Sequence, residues 1–291
     1  MYRVLKPFEL FEPSTVEEAL GLLSTYGARA KVLAGGVDLV MRMRLRELLP
    51  EFVVSTHKIK GLDYIERDGQ RGIRIGALAT LREIELSSIV QKDYGVLCEA
   101  INSISSIQIK TMGTAVGNLC VSTPASDLAP PLLVTDAQLR IVGTGSEQVI
   151  HVGDFFTGTG KTLLEPHEMV TEILVPPPSA GTGSAFLKIG KTKADIAKVN
   201  VAVIVAVADN RCRDVKIALG SVAPTVIRAT KAEEILKGEE LDEKRITGAA
   251  EAAAKEARPI TDVRSSAEYR KEMVKVLVRD GLEKAVERAK A

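Results

Sequence analysis

The chain has 291 residues, 45% apolar and 26% charged, with 39 basic against 38 acidic side chains for a net charge of +1. That length exceeds one average domain and predicts two or three, and the balanced charge gives no reason to invoke nucleic acid or an anionic membrane. The longest uninterrupted apolar run, Val201 to Ala208, falls well short of a membrane span of roughly 20 residues, and Met1-Tyr2-Arg3-Val4-Leu5-Lys6-Pro7 lacks the charged-then-apolar order of a signal peptide, so a cytoplasmic location is expected.

Residues 1–55 read as a small α/β unit. Thr15 and Glu18 fit a capping box, Ala19, Leu20, Leu22, Leu23 and Tyr26 give an apolar helix face, and Gly27 fits a C-cap. Lys31-Val32-Leu33 predicts a short strand, Leu39 to Leu48 a helix ending before Pro50, and Phe52-Val53-Val54 another strand. Residues 56–178 read as a second unit. Gly72 to Gly76 alternates with the strand period, Thr80 and Glu83 form a second capping box, and Val96 to Ile104 is helical in pattern. Leu128 to Val134, with Pro130-Pro131 inside it, predicts a buried turn and short helix. Leu139 to Val142, Val149 to Val152 and Val170 to Val175 predict strands. Pro176-Pro177-Pro178 and the small residues after it mark the domain boundary. Beyond it, Ala185 to Lys191, Val199 to Ala208 and Val215 to Ser221 predict a three-stranded sheet. Helices are expected over Lys231 to Leu236, Asp242 to Ala257 and Ser266 to Lys290. The last has a box at Ser265 and Glu268 and a core stripe of Tyr269, Met273, Val276, Leu277 and Val286.

Two glycine-rich segments interrupt this pattern: Leu33-Ala34-Gly35-Gly36-Val37-Asp38-Leu39, and Thr111-Met112-Gly113-Thr114-Ala115-Val116-Gly117-Asn118-Leu119. Glycine lets backbone N–H groups approach a phosphate and adopts dihedrals that other residues avoid. Two such segments between apolar runs point to one extended phosphorylated cofactor gripped from two sides. Other chemistries fail on spacing. Gly158-Thr159-Gly160-Lys161-Thr162 is not a P-loop, because position 155 is Phe155 rather than glycine, and no G-x-G-x-x-G or G-x-S-x-G occurs. Cys98, Cys120 and Cys212 include no C-x-x-C and are too few for an iron–sulfur cluster, and His57, His151 and His167 are scattered. Asp127 follows Pro124 among small apolar residues, where an acid either caps backbone amides or accepts hydrogen bonds from ligand hydroxyls.

These segments resemble the FAD-binding medium subunit of the molybdenum hydroxylases, the family of carbon monoxide, xanthine and nicotinate dehydrogenases. Its A-G-G-T-D-L loop appears as Ala34 to Leu39, its T-I-G-G-N-L as Thr114 to Leu119, and its S-P-A-A-D-L-x-P-P-L as Thr123 to Leu132. Its F-x-K-x-x-x-R-x-x-x-D-I-A-x-V-N is close to Phe186 to Asn200, and its D-x-R-x-S-A-E-Y-R matches Asp262 to Arg270. Five ordered motifs extend the resemblance over nearly the whole chain.

The resemblance implies an α+β fold. Residues 1–178 would form a two-part PCMH-type FAD domain like that of vanillyl-alcohol oxidase, and residues 179–291 the C-terminal domain, a three-stranded sheet with a helical bundle. It also implies roles. Val32, Leu33, Ala34, Gly35, Gly36, Val37, Asp38 and Leu39 would line the ADP and pyrophosphate side of FAD. Thr114, Ala115, Val116, Gly117 and Asn118 would hold the pyrophosphate from the other side. Asp127 would bind a ribityl or ribose hydroxyl, Val170 would touch the flavin through its backbone, and Ile104 would lie beside it. Lys188 would stabilise negative charge on the reduced flavin. Val37 and Val116 stand where the family has threonine and glycine. The implied partners are a large molybdenum-cofactor subunit and a small [2Fe–2S] subunit in a heterotrimer, with NAD, a quinone or another acceptor taking the electrons. The chain would carry no metal and no substrate-specificity residues. A stand-alone flavin oxidase of the same fold is the competing class. It would need a pocket of aromatic or acid–base residues, of which Ser184 to Ala208 offers few.

Overall fold

The computed structural model describes residues 4–192, 194–209 and 211–290. Met1, Tyr2 and Arg3 of the N-terminal segment, Lys193 within the fourth motif, Asn210 and Ala291 lie outside the described residues.

β1 (Glu9–Phe11), α1 (Val16–Tyr26), β2 (Ala30–Leu33), α2 (Val37–Leu45) and β3 (Phe52–Ser55) form the first unit, a parallel sheet in the order β1-β3-β2. Thr15 caps α1 by accepting from Glu18 N at 3.2 Å, but the Glu18 carboxylate turns back to Ser14 N at 2.7 Å. The expected reciprocal box is therefore displaced by one residue. Gly27, at φ 53°, ends the helix with its N–H on Leu23 O.

The second unit holds β4 (Ile65–Arg67), β5 (Ile73–Gly76), α3 (Leu81–Leu86), α4 (Ser88–Asp93), α5 (Gly95–Ser103), α6 (Ile107–Met112), α7 (Ala115–Cys120), α8 (Ala129–Val134), β6 (Gln138–Gly143), β7 (Ser146–His151), α9 (Val152–Phe155), β8 (Phe156–Gly158), β9 (Lys161–Thr162) and β10 (Met169–Val175). Its antiparallel sheet runs β4-β5-β10-β6-β7. The Thr80–Glu83 capping box starts α3, with both of its hydrogen bonds present. Prolines at the first turn of α8 cost nothing there, because those N–H groups have no intrahelical partner.

The remaining elements are β11 (Thr182–Ile189), β12 (Val199–Ala208), β13 (Arg211–Gly220), β14 (Ile227–Arg228), α10 (Thr230–Leu236), α11 (Glu243–Glu256) and α12 (Ala267–Lys290). The sheet has four strands rather than three, since the two-residue β14 adds to β13. Both faces are covered, which is why its strands read as unbroken apolar runs. Val199, Val201, Val203 and Val205 join the core beneath α11 and α12. The alternate positions Phe186, Ala202 and Ala218 join the core of the second unit with α5 and α8. Ala202 and Ala218 on that inner face let the sheet approach those helices closely.

Two expectations for α12 are corrected. Its N-cap is Ser266, whose Oγ accepts from Tyr269 N at 3.2 Å, while Ser265 N–H is held by Asp262. Its buried face is Arg270, Val274, Leu277, Val278, Gly281, Leu282, Ala285 and Val286, whereas Tyr269 is exposed. The shift follows from Arg270. Its guanidinium is drawn inward to Lys198 O (2.9 Å), Ser221 O (3.0 Å) and Asp262 (2.7 Å).

Glu99 of α5 fastens the C-terminal sheet to the second unit. It accepts from Phe186 N at 2.8 Å, Lys284 at 3.1 Å and Arg288 at 2.5 Å. Burial pushes its pKa up, but these donors outweigh burial and hold it below the ordinary carboxylate range. A depressed folded-state pKa gives stability that is present above the unfolded value and lost as pH falls through the folded one. Glu99→Gln is therefore expected to lower the urea midpoint at neutral pH, with the gap to the parent closing below about pH 4. A gap that stays constant with pH would show that Glu99 titrates normally.

Candidate cofactor site

The first glycine segment is a tight turn from β2 into α2. Gly36 takes φ 71° as the residue preceding the helix, and no side chain caps α2. The first-turn N–H groups of Val37, Asp38 and Leu39 have no partner among the described residues. They form a half-exposed cradle at the positive end of the helix dipole, the donor set a phosphate needs. Val32 is 37% exposed at the approach, and Asp38 lies 3.7 Å from Arg42 one turn on.

The second segment is a helix start rather than a loop, and the helix continues through Gly117. Thr114 Oγ1 accepts from Gly117 N at 3.0 Å, and Ala115 N donates to Ala79 O at 3.3 Å. Val116 turns its side chain into the apolar cluster that also holds Ile104, Ala115 and Val170. The two segments touch. A Cβ on Gly35 would overlap the Met112 carbonyl oxygen and lie 2.9 Å from Gly113 Cα. Only glycine permits this approach. Val37 joins the contact, its Cγ2 lying 3.7 Å from where a Cβ on Gly113 would stand.

Asn118 continues the surface, with Ser126 Oγ 2.6 Å from Asn118 Oδ1. Asp127 comes next, and it caps no backbone amide. Its Oδ2 accepts from Lys188 Nζ at 2.5 Å and its Oδ1 from Asn200 Nδ2 at 2.8 Å. Lys188 also donates to Ser103 O at 3.0 Å, next to Ile104. The Lys188 and Asp127 side chains are 6% and 9% exposed. Lys188 is therefore no surface lysine, and its charge is paired. Burial pushes the Asp127 carboxyl upward, and the attraction and hydrogen bonds of Lys188 and Asn200 offset this only in part. Two residues proposed for the cofactor thus bind each other across the junction of the C-terminal sheet and the second unit.

Val170 sits on β10 just before a bulge, where the pairing with β6 shifts between Val170 and Glu172 and Thr171 O accepts from Ala77 N at 2.9 Å. Glu172, 1% exposed, receives Arg74 at 2.5 Å, Arg140 at 3.0 Å and the Tyr64 hydroxyl. Burial and the Glu172 carboxylate push the Tyr64 phenol up to about 12. This node locks three strands of the sheet and was not foreseen. Its signal was one acid inside the apolar run Val170 to Val175. Asn200 left the same kind of signal, as the one amide opening the run Val199 to Ala208. The Gly158–Thr162 segment is the β8–β9 hairpin, whose Gly158 and Lys161 carbonyls accept from Ser122 Oγ at 3.0 and 2.9 Å. Among the described residues, no group of three or more His, Cys, Asp or Glu side chains is placed to hold a metal ion, and no helix is long and apolar enough to cross a membrane.

An uncapped glycine turn, a helix start packed on it and a buried acid–lysine pair make up the candidate site. The model for the FAD-binding domain in molybdopterin dehydrogenase matches residues 6–178, and that for the CO dehydrogenase flavoprotein C-terminal domain matches residues 184–285. The carbon monoxide dehydrogenase medium chain of Hydrogenophaga pseudoflava is 32% identical over 96% of both chains. The xanthine dehydrogenase FAD-binding subunit of Escherichia coli O157:H7 is 28% identical over 94% of both. The solved carbon monoxide dehydrogenase of Hydrogenophaga pseudoflava superposes with a TM-score of 0.95 at 33% identity, covering 98% of this chain and 99% of that one. The chain belongs to the FAD-binding medium subunits of the molybdenum hydroxylases, and it is an oxidoreductase subunit.

Proposed function

We propose that this chain takes electrons from [2Fe–2S] clusters on a small partner subunit and passes them to NAD, a quinone or another acceptor. The substrate would be oxidised on a large molybdenum-cofactor subunit of the same cytoplasmic heterotrimer. Bound FAD supplies the redox chemistry. The chain's own residues bind, orient and shield. Val37, Asp38 and Leu39 donate backbone N–H groups to phosphate, with Val32, Leu33, Ala34, Gly35 and Gly36 shaping the turn that presents them. Thr114, Ala115, Val116, Gly117 and Asn118 close the opposite side. Asp127 accepts from a cofactor hydroxyl with the lone pairs that Lys188 and Asn200 leave free, and Ile104 and Val170 bound the flavin end. The chain divides at 178/179, with subdivisions 1–55 and 56–178 in its FAD-binding part.

The observation that carries this reading is the contact of Gly35 with Met112–Gly113, which sets the uncapped start of α2, with its free N–H groups, against the second glycine segment. The stand-alone oxidase gains no support, because the matched medium chains are covered almost end to end. The purified chain is expected to hold stoichiometric FAD without a covalent bond, since Ala34 to Leu39 contain no His or Cys. Acid precipitation should release it, and flavin left in the pellet would direct attention to the exposed Cys120. Alone, the chain should bleach with a chemical reductant and not with a hydroxylase substrate. Substrate turnover by the isolated chain would refute the subunit reading.

A further inference from the structure

We propose that Asn200 is a positioning residue for this site: its amide sets the orientation in which the Asp127 carboxylate meets a cofactor hydroxyl. The proposal rests on the assignment of Asp127 to FAD. Asn200 is fully buried on the inner face of β12, where its alternating neighbours are Ala202 and Ile204. Its register partner on β11 is Lys188, so one cross-strand pair delivers both donors to Asp127, one to each oxygen. Asn200 Nδ2 also donates to Ser126 O at 3.0 Å, in the backbone just before the acid.

The far end of the amide explains why this is more than packing. Asn200 Oδ1 is buried and has no hydrogen-bond partner. Such an orphan is unfavourable, and a flip would expose Nδ2 instead. The flip is blocked, because it would set Oδ1 against two acceptors, Ser126 O and the Asp127 carboxylate. The orphan therefore accompanies a donor held in one direction. Gly220, opposite Asn200 on β13, makes room for it. A Cβ there would overlap Oδ1 and lie 3.0 Å from Asn200 Cγ and 3.2 Å from Pro130 Cγ.

The charged groups around Asn200 are few. Asp127 and Lys188 face it directly. Glu99 of α5 is occupied by Phe186 N, Lys284 and Arg288, and Arg270 of α12 by Lys198 O, Ser221 O and Asp262. Lys216 of β13 is bound to Asp136. A new acid at position 200 would thus couple to Asp127 and to Lys188, placing two carboxylates around one buried cation.

Asn200→Asp keeps the shape and replaces the donor with a second carboxylate. At low pH the two acids share a proton and the hydrogen bond survives; as pH rises the proton leaves and they repel. FAD affinity of the full chain, read by flavin fluorescence, should be near the parent's at about pH 5.5 and about tenfold or more weaker at about pH 8. The parent should not weaken over that interval, because an ionised Asp127 is the better acceptor. A variant profile parallel to the parent's overturns the proposal, since a purely structural role gives no such slope. If Asn200→Asp does not fold, Gly220→Ala acts on the same amide from the other side. It should weaken FAD by about tenfold without adding pH dependence, and a folded Gly220→Ala with parental affinity overturns the proposal. Asp127→Asn separates the two levels. Unchanged affinity there removes Asp127 from the FAD site and the proposal with it. Weakened affinity there beside a parent-like Asn200→Asp overturns only the positioning role.

Discussion

Lys188→Met is expected to destabilise the FAD-free chain by about 3–5 kcal/mol, the cost of leaving one member of a buried ion pair without its partner. Methionine keeps much of the stem's packing, so the loss falls on the charge. Asp127 then stands buried with only Asn200 as a donor. Burial already pushes its carboxyl upward with Lys188 in place, and removing the cation removes the main opposing influence. The sign with pH follows. The penalty is full where Asp127 must stay ionised, and it shrinks as pH falls below its raised folded-state pKa, because the folded state then takes up a proton. Urea midpoints should therefore diverge at pH 8 and converge toward pH 5, and Lys188→Met/Asp127→Asn should recover most of the loss. With FAD bound, the uncompensated carboxylate should also lower the two-electron potential, by roughly 20 mV per kcal/mol of lost stabilisation. Lys191→Met, on an exposed side chain three residues on, is the control. Equal midpoints and equal potentials for parent and Lys188→Met would show that the pair carries neither role.

Gly35→Ala is expected to weaken FAD binding by about a hundredfold, near 2.7 kcal/mol, and to exceed every other single methyl addition in the two glycine segments. The atoms in its way are backbone: the Met112 carbonyl oxygen and carbon, and Gly113 Cα. None can rotate aside, so the glycine turn must part from the second segment. Gly36→Ala acts differently. Its nearest obstacle is the flexible Leu33 side chain at 3.2 Å, and its penalty is the left-handed backbone at φ 71°, about 1–2 kcal/mol. A branched Gly36→Val should reach roughly 1–3 kcal/mol. Gly117→Ala would press on Thr114 Oγ1 at 2.8 Å and loosen a helix cap. Dissociation constants that rank Gly36→Ala above Gly35→Ala would mean that the two segments do not share the ligand.

What was legible in the sequence was what short-range chemistry dictates. Thr80 with Glu83, Pro130-Pro131 and the valine run of β12 announce their elements because caps, proline and alternation act within a few residues. β1, β4 and the β8–β9 hairpin escaped notice because strands of two or three residues show no period. α7 was hidden by the glycine that marks it, since Gly117 lies inside a helix whose stability comes from tertiary contacts. The stripe on α12 was misplaced because an arginine belongs to the buried face, and what buries it, the Lys198 and Ser221 carbonyls, lies on other elements. The site divides in the same way. Gly35, Gly36, Asp127 and Lys188 were singled out one by one through the motifs. That Asp127 and Lys188 neutralise each other across 61 residues is a fact of topology that no local pattern carries.

The proline-rich connector, residues 176–181 between β10 and β11, gives the polar junction a further consequence. A stiff, short tether keeps Lys188, Asn200 and Arg288 close to Asp127 and Glu99, an effective concentration of about millimolar or more. Docking is then a unimolecular step, and the tether and the apolar face of Phe186, Ala202 and Ala218 together offset the desolvation of several buried charges. The same two halves supplied as separate chains would lack that advantage, and a junction this rich in ion pairs would become strongly dependent on concentration and salt. Covalent continuity thus adds to the apolar packing of Phe186, Ala202 and Ala218 in holding the charged seam shut.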